Sequence, residues 1–174
     1  MSHEKQVLIV MGSDSDLSVM KESAVALEEF NVSYSINVCS AHRQPRKTSS
    51  LAAEAEQNGV KVIIAGAGGA AHLPGVIASY TTLPVIGVPM RTSFSGGADS
   101  LHSIVQMPRG IPVATVAVNG AYNAGLLAVQ FLSLSDENLA QELKQYRQKL
   151  SESVDKKNDL LQEKGYLEYL KDME

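Results

Sequence analysis

Ser40-Ala41-His42-Arg43 places a hydroxyl, a proton carrier and a fixed cation within four residues, and Pro45 follows shortly after. The arginine guanidinium is a planar fork that matches two phosphate oxygens at once. An imidazole gains or loses a proton near neutral pH. Together they suit proton transfer on a small phosphorylated ligand. The same pair elsewhere would read as a histidine on a backbone carbonyl beside a surface ion pair. Position decides between the two, and the segment follows directly on Val32–Cys39, a run rich in β-formers.

Two further segments invite a ligand. In Gly12-Ser13-Asp14-Ser15-Asp16, backbone N–H groups at a helix start and the Ser13 and Ser15 hydroxyls can hold a phosphate, while Asp16 can accept hydrogen bonds from sugar hydroxyls. Plain helix capping is the competing reading. No Gly-Lys-Ser/Thr follows, so this is not a P-loop. Gly66-Ala67-Gly68-Gly69-Ala70-Ala71 matches G-x-G-x-x-G/A. A dinucleotide site also needs an acidic residue about 20 residues later, at the end of the next strand. Leu83–Pro89 supplies none, so a nicotinamide or flavin dinucleotide is not expected. Side chains cut down to hydrogen or methyl let a flat ligand lie against backbone.

His72 either lines this pocket or caps the helix that follows. His102 falls in an expected helix, Ala98–Gln106, as a packed or surface residue, and His3 falls in an expected frayed terminus. Cys39, the only cysteine, reads as a small buried hydrophobe. There is no His-Glu-x-x-His, no metal-ligand spacing and no Gly-x-Ser-x-Gly elbow.

The elements that must position these residues follow from hydrophobic runs and their punctuation. Strands are expected over 7–11, 32–39, 60–65, 83–88 and 111–118. Helices are expected over 16–30, 45–58, 74–80, 98–106, 121–134, 136–149 and 150–172. Alternating strands and helices imply βαβ units, right-handed crossovers and a three-layer, doubly wound parallel sheet of the α/β class. The expected strand order is flavodoxin-like, 2-1-3-4-5. All three unusual loops then fall beyond the carboxyl ends of the strands, at the switch between strands 1 and 3, where such sheets bind ligands. The chain reads as one domain, 1–174, with a core over about 6–150. Its charged C-terminal helix, about 150–172, is expected to pack on a neighbouring subunit.

Composition excludes whole classes of function. The chain has 174 residues, 44% of them hydrophobic, with no tryptophan and three phenylalanines, so Val, Ile, Leu, Ala and Met must build the core. A net charge of −4 argues against binding a nucleic-acid backbone. A single cysteine fits a reducing compartment. No stretch approaches the roughly 18 apolar residues of a membrane span, and no signal peptide is evident, so a soluble cytoplasmic protein is expected.

Four motifs in fixed order carry a resemblance. Met11–Asp16, Ser40–Arg43, the eleven-residue string Ala65–Gly75, and Ser103–Pro112 resemble the N5-carboxyaminoimidazole ribonucleotide mutase (PurE, class I) family of purine biosynthesis. The match spans roughly residues 6–150. The family has a second branch, which carboxylates aminoimidazole ribonucleotide with free carbon dioxide; the uninterrupted Ala65–Gly75 string resembles the mutase branch.

The resemblance implies a homo-octamer with shared active sites, no metal and no organic cofactor. It also implies a functional link to an ATP-dependent synthetase that makes the carbamate. Carried over position by position, His42 becomes the proton shuttle. Ser13, Ser15, Ser40 and Arg43 become holders of the 5′-phosphate, and Asp16 of the ribose hydroxyls. Gly68, Ala70, His72 and Leu73 border the imidazole and carboxylate. Pro89–Gly97 matches less closely, and no role passes to Arg91. A carboxylase on the same fold and a non-catalytic nucleotide-binding module are the competing functions.

Overall fold

Val7–Met11, an unbroken apolar run, forms β1 and is buried on both faces. A two-sided burial of this kind belongs at the centre of a parallel sheet. β1 pairs in parallel with β2 (Tyr34–Val38) on one side and with β3 (Val62–Ala67) on the other. β3 pairs with β4 (Val85–Pro89), and β4 with the two-residue β5 (Ala114–Thr115). The sheet order is β2-β1-β3-β4-β5, all parallel, as expected from the sequence. This computed structural model describes residues 5–173, so His3 lies outside the described residues.

Strand alternation sends successive side chains to opposite faces. Leu8 and Val10 of β1 and Ile63, Ala65 and Ala67 of β3 share a core with α2 (Pro45–Glu54), α3 (Leu73–Ala78) and α4 (Ala98–Val105), through Ala52, Leu73, Ile77 and Ile104. The other face is covered by α1 (Leu17–Glu29) and α5 (Ala121–Ser133), which pack on each other and on β1, β3 and β4. A Cβ built on Gly66 would lie 2.5 Å from the Met20 sulfur of α1, so β3 and α1 approach as closely as a glycine permits. These are the three layers.

Two compact units result, one ending at Leu134 and the other starting at Ser135. The second consists of α6 (Glu137–Lys164) and α7 (Tyr166–Lys171). Here the sequence reading needs correction. Helices expected over 136–149 and 150–172 are one 28-residue helix followed by a short one. No Gly or Pro interrupts 137–164, whereas Gly165, at φ 72° and ψ 157°, adopts an extended positive-φ conformation open chiefly to glycine and ends the helix. β5 is likewise far shorter than 111–118. Pro112 lacks an N–H for a ladder, and beyond Thr115 an isolated bond continues, from Val116 N–H to Gly87 O at 3.1 Å.

Candidate active site

Ladder ends fix where the three loops leave the sheet. Gly12 N–H donates to Gly66 O at 3.3 Å, and Cys39 N–H to Met11 O at 2.9 Å. Ser13, Ser40 and Gly68 therefore all begin just past the last pairing of neighbouring strands.

The β1 loop turns at once into a short 3-10 segment, Asp14–Asp16. Ser13 caps it: its Oγ accepts from Ser15 N–H at 3.3 Å and from Ser15 Oγ–H at 2.9 Å. Both serines thus serve the capping reading while their hydroxyls border the same hollow. Asp16 is half-buried, and burial raises its carboxyl above the ordinary 3.8. The neighbouring Asp14 charge adds to this, and a hydrogen bond from Ser15 opposes it.

The β2 loop is pulled toward β1. Arg43 donates through Nη2 to Gly12 O at 3.2 Å and through Nε to Ser40 Oγ at 3.4 Å. Its backbone N–H also reaches Ser40 Oγ, at 3.3 Å. Arg43 is exposed and lines the crevice, and its guanidinium has further N–H groups beyond these bonds. Pro45 then opens α2, where a missing N–H is harmless. Beneath, Cys39 is fully buried with Sγ 3.2 Å from Thr48 Oγ1, the structural place expected for it.

The β3 loop closes as a tight turn, with Ala71 N–H donating to Gly68 O at 3.2 Å and Gly69 and Ala71 both left-handed, at φ 65° and 46°. His72 stands at the start of α3 without capping it. Its Nδ1 instead lies 2.6 Å from His42 Nε2, edge to face at 79°.

These residues enclose one cavity of about 450 Å³, lined by Gly12, Ser13, Ser15, Asp16, Ser40, Ala41, His42, Arg43, Ala67, Gly68, Ala71, His72 and Leu73. That volume suits a small organic ligand. A hollow of about 370 Å³ shares Gly12, Ser13, Ser40 and Arg43 with it. A larger cavity of about 900 Å³ opens where β4 begins, but Glu56 is the only charged residue among its described lining. Chemistry belongs to the smaller one, where two imidazoles, a guanidinium and a carboxylate converge.

Every candidate from the sequence lines this cavity except Ala70. That residue occupies the outer corner of the Gly68–Ala71 turn and is exposed. Gly12, Ala41, Ala67 and Ala71 line it too; they lay inside the same motifs, but side chains of hydrogen or methyl advertise no chemistry. His102 is exposed on α4, one of the two places expected. Arg91 is exposed and outside the lining, with its backbone N–H on Asn119 Oδ1 at 2.9 Å. Among the described residues no helix is long and apolar enough to cross a membrane, and no group of three His, Cys, Asp or Glu is placed to hold a metal.

The family model described as AIR carboxylase matches residues 6–153, which includes every lining residue. The chain belongs to the AIR carboxylase family. Within that family it is 54% identical to the N5-carboxyaminoimidazole ribonucleotide mutase of Thermotoga maritima, over 97% of this chain and 99% of the relative. It is 52% identical to the phosphoribosylaminoimidazole carboxylase of Saccharomyces cerevisiae, over 93% of this chain but only 28% of that much longer protein. The crystal structure of Treponema denticola PurE superposes with a TM-score of 0.82 at 31% identity, covering 89% of this chain and 97% of the other. The parallel sheet and its flanking helices are thus the architecture of a solved AIR carboxylase family relative.

Proposed function

We propose that the chain is an N5-carboxyaminoimidazole ribonucleotide mutase of purine biosynthesis, an isomerase that moves a carboxylate from the exocyclic nitrogen to ring carbon 4. The observation that carries this is the 54% identity with a mutase, over 97% of this chain and 99% of the relative. The yeast carboxylase is as similar in sequence but embeds the match in a far longer chain.

In this reading each part of such a substrate has its own residues in the cavity lining. Arg43, Ser13, Ser15 and Ser40 hold the 5′-phosphate, charge and fork at the crevice mouth. Asp16 accepts from the ribose hydroxyls. Gly68, Leu73 and His72 flank the heterocycle, with His42 against the reacting atoms.

In this reading His42, as imidazolium, gives its proton to the carbamate nitrogen. The nitrogen–carbon bond breaks and carbon dioxide leaves. Carbon 4 of the electron-rich aminoimidazole attacks that carbon dioxide, and a carbon–carbon bond forms. Neutral His42 then takes the surplus proton from carbon 4 and is restored. One group acts as acid first and base second, so no external proton source is needed. Carbon dioxide offers no charge or dipole to grip, and only a close wall delays its escape; Ala41, Ala67, Gly68 and Ala71 provide small, close-set surface for this. The anchored phosphate keeps the ring in place while the group migrates.

A homo-octamer in the cytoplasm, fed by an ATP-dependent synthetase that makes the carbamate, completes the proposal. In that assembly α6 packs on a neighbouring subunit. Leu150, Val154 and Leu160 are exposed along it and available for such burial. An absorbance assay for conversion of the carbamate, run beside one with aminoimidazole ribonucleotide and bicarbonate, tests the reading. Turnover of the carbamate supports the mutase; turnover in the second assay alone makes the chain a carboxylase. Binding of the product without turnover in either assay makes it a nucleotide-binding module.

A further inference from the structure

The Gly68–Ala71 turn walls the cavity, yet its own contacts do not hold it. Among the described residues one backbone bond closes it, and Ala71 sits in the left-handed region that side chains avoid. Support comes from α4, an element outside the cavity lining. Gly69 N–H donates to Ser100 Oγ at 2.9 Å, and Ser100 is completely buried. Ser103 Oγ–H approaches Gly69 O at 3.4 Å, although its shorter bond, 2.8 Å, goes back to Asp99 O within the helix. The start of α4 is itself tied down: both carboxylate oxygens of Asp99 accept from Thr92 Oγ1, at 2.8 and 2.9 Å. A Cβ built on Gly68 would meet Met90 Cβ at 3.2 Å, so the turn also rests on the residue that follows β4.

From this we propose that Ser100 is a positioning residue for the site: its hydroxyl fixes the glycine turn, and the turn fixes both the carbon dioxide wall and His72 opposite His42. The inference rests on the mutase reading. The chain of contacts is short. Gly69 is held by Ser100, Gly68 and Ala71 line the cavity on either side of it, and His72 and Leu73 follow directly. A turn that loosens lets carbon dioxide out between the two half-reactions, and the aminoimidazole is left behind as a by-product. Binding of the phosphoribosyl end depends on the β1 and β2 loops, so it stays intact.

The test supplies carbamate labelled at its carboxyl carbon in unlabelled bicarbonate buffer, and follows label in the product and free aminoimidazole ribonucleotide. Wild type is expected to keep nearly all the label. Ser100→Ala is expected to lose label and to release free aminoimidazole ribonucleotide about tenfold more often, with KM within about twofold. Ser103→Ala, which leaves the Ser100 bond in place, is expected to behave as wild type. Ser100→Ala with full label retention overturns the proposal.

Amide exchange of wild type guards against a variant that does not fold. Gly69 N–H is expected to exchange at least about 100-fold more slowly than in an unstructured peptide. Exchange at the unstructured rate overturns the proposal without any variant. Failure of the mutase reading shows separately, as wild type that converts no carbamate; the Ser100–Gly69 link is then decided by amide exchange alone.

Discussion

Nε2 of His42 and Nδ1 of His72 face each other at 2.6 Å, contributed by loops that leave two different strands. At that distance one nitrogen carries a proton and the other is bare, because two N–H groups cannot point at each other. Each ring therefore dictates the tautomer of the other. The nitrogens on their far sides are left for ligand and solvent.

A double-mutant cycle reads this coupling. His42→Asn is expected to lower kcat by about 10²–10⁴ while product binding survives, and His72→Asn to lower it about tenfold. The double variant is expected to be no worse than His42→Asn alone, because His72 acts through His42. Losses that multiply would mean the two rings work independently, and wild-type turnover in His42→Asn would remove His42 from the mechanism.

Arg43→Lys keeps the charge and loses the fork. KM for the ribonucleotide is expected to rise about tenfold, with kcat changed less than about threefold. Steady-state kinetics decides: an unchanged KM places the phosphate elsewhere.

Asp16 gives a pH signature. Burial first, then the Asp14 charge, holds its carboxyl above 3.8. The folded protein thus retains a proton at pH values where the unfolded chain has lost it, and stability falls as pH rises through the window that begins near 3.8. The penalty persists at neutral pH. Asp16→Asn is expected to raise Tm at pH 7, with the gain vanishing below about that carboxylate range, and to raise KM by about tenfold through the lost charged hydrogen bond to the sugar. Thermal scans across pH, beside kinetics, check both; a Tm gain that ignores pH contradicts the cause given.

Gly125 sits where α5 packs tightly on α1. A Cβ there would lie 2.7 Å from both Ser23 O and Ala26 Cβ. Alanine favours a helix over glycine by about 1 kcal/mol, but forcing an atom against fixed backbone costs about 1–3 kcal/mol. Gly125→Ala is expected to lower Tm, by about 2–4 °C per net kcal/mol. A Tm that rises would show that α1 can back away.

Much of this was legible in residue order. Val7–Met11, punctuated by Gly12, identifies a central strand, and the glycine-rich string after β3 identifies a loop built for close approach. Alternating strands and helices identify a doubly wound sheet, the flavodoxin-like order expected of it is the one found, and with that order Ser13, Ser40, His42, Arg43 and His72 converge. Contacts that depend on distant partners were not legible. Nothing in the local pattern around Ser100 signals that its hydroxyl receives Gly69 N–H from 31 residues away. Nor could spacing show that Ala70 turns outward while Ala71 faces in, because that depends on which residue of the turn goes left-handed. The helix break expected near residue 150 is absent, because backbone chemistry offers no reason to stop before Gly165.

All of the lining residues fall between Gly12 and Leu73, yet α5, against which α1 packs, is made well after them. Ser23 Oγ–H donates to Ala121 O at 2.7 Å, a buried bond between the first helix and the start of α5. During synthesis at about 5–20 residues per second, the crevice loops emerge seconds before that platform exists. A nascent chain paused after Leu73 holds every residue that lines the crevice and the three paired strands beneath them, but not the helix against which α1 packs. Final seating of the first helix, directly downstream of the Gly12–Asp16 loop, waits for α5.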